Sequence, residues 1–199
     1  MNKRFDELKI NNTNNKINNQ ELKFKDGRYI GEVVNGLAEG KGIFYGYNGD
    51  RYEGEWRNDN MEGKGIYYFN DTEPLKSNKY EGEWRNGKQE GKGIYYYNNG
   101  DRYEGDLRNG NKEGKGIMYY NNGDRYEGDY RNDTPEGKGI YYHYSGDKYE
   151  GDFRNDKREG KGIYYYNNGN REMGDYYNGK QIGKHVTLTK NGEVKIKNY

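Results

Sequence analysis

Tyr80-Glu81-Gly82-Glu83-Trp84-Arg85-Asn86-Gly87-Lys88-Gln89-Glu90-Gly91-Lys92-Gly93-Ile94-Tyr95-Tyr96-Tyr97-Asn98-Asn99-Gly100 is the stretch that decides the fold. Its first part alternates with period two. Tyr80, Gly82 and Trp84 share one parity, while Glu81, Glu83 and Arg85 share the other, which is the signature of a half-buried strand. A second strand, Gly91–Tyr97, follows a loop of about five polar residues. Asn99-Gly100 then closes the segment, and Asn-Gly supplies the positive φ angles of a type I′ hairpin turn. Two short connections make consecutive strands antiparallel, so the stretch reads as one hairpin of a meander.

The same pattern recurs on both sides. The leading tyrosine stands at Tyr29, Tyr52, Tyr80, Tyr103, Tyr126 and Tyr149, with Glu172 in the seventh register position. Every step is 23 residues except the 28 from Tyr52 to Tyr80, whose five extra residues fall within 70–79, around Pro74. Glycine follows two positions later (Gly31, Gly54, Gly82, Gly105, Gly128, Gly151, Gly174), and a large residue two beyond that (Val33, Trp56, Trp84, Leu107, Tyr130, Phe153, Tyr176). A fixed internal period of this size marks stacked repeats. The expected fold is all-β: an elongated antiparallel meander of tandem β-hairpins, a single-sheet solenoid of about 14 strands. At roughly 4.8 Å per strand it would form a rod of about 65–70 Å. Glycines that keep register imply Cβ-free slots for neighbouring rings; Tyr103, for example, is expected to cover Gly82 or Gly91.

Composition agrees with a thin ring-based core. Only 29% of residues are apolar and 34% are charged, but 25 are tyrosine and 32 glycine. Tyrosine brings ring area with a polar tip and can build a packed layer without a deep interior. The formal charge of +1 offers no basic excess, so a nucleic-acid partner is not expected. No cysteine is present, which excludes disulfides and thiolate metal sites. No apolar run reaches the length of a membrane span, and Met1–Ile10 lacks the apolar core of a signal peptide. An intracellular home is expected: cytoplasm, cytoskeleton or cilium, or the cytoplasmic face of a membrane.

Residues 1–20, which hold seven asparagines, read as a disordered or weakly ordered lead. The array occupies 21–199: seven units from Tyr29, with Leu22 and Phe24 capping the first and a capping strand at 193–199. The pattern decays in the last unit, where Glu172 replaces the tyrosine and Gly183-Lys184-His185 replaces Gly-Lys-Gly. Atypical terminal units are the norm in repeat arrays.

Reactive chemistry is hard to find. The recurring Gly-Lys lacks the spacing and the following Ser or Thr of a phosphate-binding loop. His143 and His185 lie roughly two units apart, without a second histidine or cysteine beside either, so neither a metal site nor a triad is expected. His143 stands where other units have Tyr97, Tyr120 and Tyr166, a packing position. The carboxylates Glu53, Glu81, Glu104, Glu127 and Glu150, near Arg51, Arg102 and Arg125, read as a ladder of cross-strand ion pairs. No catalytic residue, cofactor or metal is expected.

Tyr80-Glu81-Gly82-Glu83-Trp84-Arg85-Asn86-Gly87 with Glu90-Gly91-Lys92-Gly93 resembles the MORN (membrane occupation and recognition nexus) repeat, over about 27–192. The resemblance implies rows of β-hairpins in a twisted sheet, with a groove lined by the motif aromatics and glycines. It also implies settings such as junctophilins, radial-spoke heads of cilia and protozoan cytoskeletal scaffolds; where the repeats accompany a kinase or methyltransferase, another domain is the catalyst. The expected role is a non-catalytic scaffold that binds an extended peptide or helix of a protein partner. The candidate contact residues are Tyr52, Trp56, Tyr80, Trp84, Tyr103, Tyr126 and Tyr149. The alternative is a tether recognising anionic lipid through Lys41, Lys64, Lys92, Lys115, Lys138, Lys161 and Lys184, although a glutamate stands two positions before each of the first six. Self-association is open, and the Asn-, Lys- and Tyr-rich composition points to an AT-rich genome such as a protist's.

Overall fold

The computed structural model describes residues 16–71 and 76–199, and none of them is helical. Sixteen strands form one sheet in sequence order, each hydrogen-bonded to the next. Contacts divide the chain into two units, one running to Asn99 with Leu107–Gly110, the other Gly100–Asp106 with Asn111–Tyr199. The first holds β1 (Lys16–Lys23), β2 (Gly27–Val34), β3 (Leu37–Gly46), β4 (Arg51–Arg57), β5 (Asn60–Tyr68), β6 (Ser77–Arg85) and β7 (Lys88–Tyr97). The division cuts β8 (Arg102–Arg108), whose residues up to Asp106 belong to the second. That unit continues through β9 (Asn111–Tyr119), β10 (Arg125–Arg131), β11 (Thr134–Tyr142), β12 (Lys148–Arg154), β13 (Lys157–Tyr165), β14 (Arg171–Tyr177), β15 (Lys180–Leu188) and β16 (Val194–Asn198).

β2 to β15 follow the order of the expected hairpins, and β1 and β16 are the two end strands of the sheet. β1 starts at Lys16, inside the stretch read as a weakly ordered lead; residues 1–15 lie outside the described residues. The cap follows from its apolar pair, since Leu22 and Phe24 are buried at the start of the ring layer. Of the inserted segment, residues 72–75 lie outside the described residues, and β6 already runs from Ser77.

Turn chemistry corrects one expectation. The type I′ turns are not at Asn99-Gly100 and its equivalents but at the other connection, within each unit. Asn86 and Gly87 have φ of 49° and 75°, and Asn155 and Asp156 have 49° and 62°. Two central residues with positive φ define the two-residue I′ hairpin, and asparagine tolerates that region because its side chain bonds locally. The Asn-Gly loops between units are one residue longer. In the loop after β11, His143 N–H donates to Asp147 O (2.9 Å) and Gly146 N–H to His143 O (2.9 Å). Only the glycine of such a loop has positive φ (Gly146, 92°), as in a three-residue loop ending in a bulge.

The core is a layer of rings lying on glycines. In each unit the two slot glycines face one another across the strand pair, as Gly82 does Gly93 and Gly151 does Gly162. A Cβ on Gly93 would run into the Tyr80 ring, and one on Gly162 into Tyr149. The slot reading therefore holds with a different assignment. Tyr103 covers Gly105 and Gly116, on its own strand and the next, rather than Gly82 or Gly91. The ring leans along its own strand, so it reaches the glycine two residues on. The hydroxyl of each tyrosine lying on a glycine pair then donates to the carbonyl three residues ahead: Tyr52 to Glu55 O (3.0 Å), Tyr80 to Glu83 O (3.0 Å), Tyr103 to Asp106 O (2.9 Å), Tyr126 to Asp129 O (3.1 Å). Without that bond a buried hydroxyl would cost free energy on the order of 1–3 kcal/mol.

Carboxylates fasten one hairpin to the next. The Glu62 carboxylate accepts the Asn86 N–H (2.9 Å), Glu113 that of Asn132 (3.1 Å), Glu136 that of Asn155 (3.1 Å) and Glu159 that of Asn178 (3.0 Å). On the opposite border Asp50 accepts the Asn70 N–H (2.7 Å), Asp124 that of Tyr144 (2.9 Å) and Asp147 that of Asn167 (2.7 Å). The glutamates preceding the Gly-Lys-Gly run thus hold turns, a role absent from the charge bookkeeping of the sequence.

Candidate partner-binding surface

The seven residues expected to line a groove are all core. Tyr52, Tyr80 and Tyr103 are 0% exposed, Tyr126 and Tyr149 1%, Trp84 4% and Trp56 6%. Geometry explains the burial: each tyrosine lies on its glycines and is closed over edge to face by a neighbouring ring, which for Tyr52, Tyr80, Tyr126 and Tyr149 includes the residue four positions on. In the first unit Trp56 meets Tyr29 (5.0 Å) and Tyr52 (5.3 Å), and Trp84 meets Tyr52 (5.1 Å) and Tyr80 (5.3 Å). The indole nitrogens donate to Gly42 O (3.3 Å) and Gly65 O (3.4 Å). In the second unit the same edge-to-face succession runs Tyr103–Tyr130–Tyr126–Phe153–Tyr149–Tyr176. Truncating Trp56 and Trp84 would therefore test stability before it tested capture.

The second strands add further rings to the core face, most of them half-buried. In the Ile-Tyr-Tyr-Tyr run, Tyr95 and Tyr97 share the face of Gly93, and hence of the core ring Tyr80, whereas Tyr96 lies opposite. Sorting that run by parity would have found them from the sequence. In the second unit the equivalents make a row of half-buried rings: Tyr120 to Tyr141 (6.0 Å), Tyr141 to His143 (4.8 Å), His143 to Tyr164 (6.2 Å), Tyr164 to Tyr166 (4.7 Å). In the first unit Tyr67 meets Phe69 (4.7 Å) and Tyr95 meets Tyr97 (6.3 Å). His143 sits in this row as a ring among rings. The row is locked from behind. Tyr141 donates to Asp124 Oδ2 (2.7 Å) and Tyr164 to Asp147 Oδ2 (3.0 Å). Burial alone would raise the Asp124 pKa, but bonds from Tyr144 N–H, Tyr141 and Asn122 outweigh it and hold the carboxyl below the ordinary aspartate range. Burial in turn pushes Tyr120 and Tyr164 up to about 12, so these two hydroxyls keep their protons well above neutral pH.

The opposite face is charged and organised differently from the expected ladder. From β4 to β12 the cation of the first strand pairs with the acid two residues along the same strand, as Arg51 with Glu53 (3.0 Å) and Arg102 with Glu104 (3.0 Å). That cation also stacks on the ring across the strand: Arg51 over Tyr68 (4.4 Å), Arg102 over Tyr119 (4.5 Å), Arg125 over Tyr142 (4.2 Å). Cross-strand pairs do occur, but between the Gly-Lys-Gly lysine and an aspartate: Lys115 with Asp129 (2.6 Å), Lys138 with Asp152 (2.6 Å), Lys161 with Asp175 (3.2 Å). Among the described residues no group of three or more His, Cys, Asp or Glu is placed to hold a metal ion.

The last hairpin departs from the others. Glu172 replaces the core tyrosine, and the slot over Gly174 is filled instead from the facing strand, by His185. Its Nε2 lies 3.0 Å from Asp175 O, the carbonyl a core tyrosine would reach, and its Nδ1 lies 3.2 Å from Glu172 Oε1. Glu172 also accepts from Tyr166 (2.6 Å) and Tyr199 (3.1 Å). Burial raises its pKa, yet these hydroxyl donors and His185 prevail and leave it below the ordinary glutamate range.

Solved structures share the fold. The SAS-4 (dCPAP) TCP domain of Drosophila melanogaster, in complex with a proline-rich motif of Ana2 (dSTIL), is 15% identical with a TM-score of 0.53, over 80% of this chain and 84% of that one. The TCP10 domain of Danio rerio CPAP, in complex with a peptide of Danio rerio STIL, is 16% identical with a TM-score of 0.53, over 92% and 83%. No curated protein sequence matches the chain. The MORN repeat model matches six consecutive segments, 29–51, 52–72, 80–102, 103–125, 126–148 and 149–171. The expected seventh unit, from Glu172, lies beyond them, where the ring-on-glycine pair is rebuilt as histidine on glycine. With matches over more than half its length, the chain belongs to the MORN repeat family.

Proposed function

We propose that this protein is a non-catalytic scaffold whose ring-bearing sheet face receives an extended segment of a partner protein. The observation that carries the reading is the row Tyr120, Tyr141, His143, Tyr164 and Tyr166, half-exposed and fixed by hydrogen bonds to carboxylates behind it. Rigid aromatic rings offer contact area at low entropic cost, which is why they dominate binding hot spots. Two proteins of similar fold are in complexes with a motif or peptide of another protein, which supports a peptide-binding role. The contact residues are accordingly the second-strand rings rather than the buried first-strand ones. An intracellular, cytoskeletal or cortical setting fits a scaffold of this kind. Anionic lipid is the weaker reading, because Lys115, Lys138 and Lys161 already face aspartates.

Panning a library of random linear peptides against the protein tests the reading. The wild type should select a peptide family, and the Tyr120→Ala/His143→Ala variant, shown by circular dichroism to keep its sheet, should bind those peptides at least about tenfold more weakly. Equal binding by the folded variant would overturn it.

A further inference from the structure

Within the second unit, one position on the ring face changes its chemistry at every hairpin. The position two before the first glycine of the Gly-Lys-Gly run holds Lys112, Pro135, Arg158 and Gln181 in succession. A constant frame with one changing side chain per repeat is how an array tells one ligand from another. Arg158 and Gln181, the last two members of this series, open onto one cleft. The cleft has a volume of about 480 Å³ and is lined by Tyr164, Tyr166, Tyr199, Lys180, Gln181 and Gly179 besides the arginine itself.

The Arg158 guanidinium lies 5.1 Å from the Tyr176 ring and 5.5 Å from the Tyr149 ring, and its Nη2 donates to Gly179 O at 2.9 Å. That fixes the group and uses one of its five N–H donors. No carboxylate lies within ion-pairing distance of Arg158 or Lys180 among the described residues. The nearby acids are engaged elsewhere: Glu172 with Tyr166, Tyr199 and His185, and Asp147 with Tyr164 and the Asn167 N–H. The cleft therefore presents two cations without counter-ions, an amide and three ring walls.

We propose that this cleft takes the carboxylate of an aspartate or glutamate in an extended partner peptide, with the Arg158 fork on the carboxylate, Lys180 beside it and the rings holding the flanking residues. A fixed guanidinium fork matches a carboxylate in plane. A peptide is favoured over a membrane because Arg158 lines a cleft walled by rings, while Lys115, Lys138 and Lys161 on the opposite face are paired with aspartates. The proposal rests on the ring-face reading and adds the charge of the partner.

The same random peptide library, sequenced after panning, decides it. Selected peptides should be enriched in aspartate and glutamate. A selected acidic peptide should lose about tenfold in affinity, by fluorescence anisotropy, on Arg158→Gln, and several-fold on Lys180→Gln, an exposed turn substitution that leaves the core intact. Its glutamine counterpart should bind the wild type as weakly. Selection of neutral peptides that depend on Tyr120 and His143 but not on Arg158 or Lys180 would overturn the proposal and leave the ring-face reading standing. Selection of no peptide at all would overturn both. Arg158-dependent sedimentation with phosphatidylserine–phosphatidylcholine vesicles, without acidic peptides, would replace the peptide by lipid.

Discussion

Two neighbouring slots of the second unit solve one problem in two ways. In the sixth, Tyr149 comes from the first strand, lies on Gly151 and Gly162, and donates to Asp152 O at 3.3 Å. In the seventh, the ring comes from the second strand: His185 lies on Gly174 and reaches Asp175 O at 3.0 Å. Both cover a bare stretch of sheet with a planar ring and tie its polar tip to the same carbonyl position. What differs is the remainder. Tyrosine is complete in itself, whereas histidine leaves Nδ1 to be met, and Glu172 stands there with two tyrosine hydroxyls around it. The lesson is that the array conserves a filled slot rather than a particular residue, and that the substitution brings a buried carboxylate with it.

The comparison breaks most readily at the glycines. Gly162→Ala places a methyl group into the Tyr149 ring, and Gly183→Ala meets no atom within 4 Å but must hold φ at 65°. The first should cost about 3 kcal/mol by overpacking and the second about 1–2 kcal/mol by left-handed strain alone, as read from urea unfolding. Equal losses would mean that the ring does not occupy the slot.

A slot exchange should show the next largest effect. Glu172→Tyr alone sets a second ring against His185, and His185→Gly alone empties the slot; each should destabilise by about 2 kcal/mol or more. Together they restore the tyrosine-on-two-glycines arrangement, so the double variant should approach wild-type stability, a coupling of about 2 kcal/mol. Additive losses would show that the two residues do not share one site.

The pH dependence sharpens the same contrast. Glu172 sits below the ordinary glutamate range in the fold. Its contribution is therefore present above the unfolded value and lost as pH falls through the lowered folded one. Glu172→Gln should cost about 1 kcal/mol at neutral pH and make the acid limb of the stability curve shallower. At the other limit, burial raises the core tyrosines such as Tyr52 and Tyr149. Their contribution is full below their ordinary value near 10 and is lost as pH rises through the raised ones, so unfolding should steepen above about pH 10 with Glu172→Gln leaving that limb unchanged. Thermal melts across pH check both limbs.

Smallest of all should be the charged face. Lys138 is an exposed partner of Asp152 (2.6 Å), and Lys138→Gln should change stability by less than about 0.5 kcal/mol. A larger loss would give that face a structural part comparable to the ring face.

Much of this was legible before any coordinates. The spacing of Tyr, Gly and Trp in a register of 23 residues requires hairpins with one ring face, because side chains alternate along a strand. The cap formed by Leu22 and Phe24, the packing role of His143 and the irregular seventh unit could be read the same way. Which rings stay accessible could not. Tyr126 and Tyr141 have the same side chain and pair across β10 and β11, yet the first is buried and the second half-buried; what separates them is whether a glycine pair lies beneath the ring and another ring closes over it. Turn assignment failed for a related reason. Asn-Gly occurs at both connections, and only the length of chain between the last paired residues distinguishes a two-residue I′ turn from a loop of three.

The sequence alone determined the fold class, the repeat and the identity of the ring face, because these follow from periodicity, which is a property of order along the chain. The tertiary structure decided which rings are core and which are surface, which strand fills the last slot, and where cations are left without counter-ions. Those depend on distances between residues tens of positions apart, and burial, hydrogen bonding and charge pairing act through distance in space.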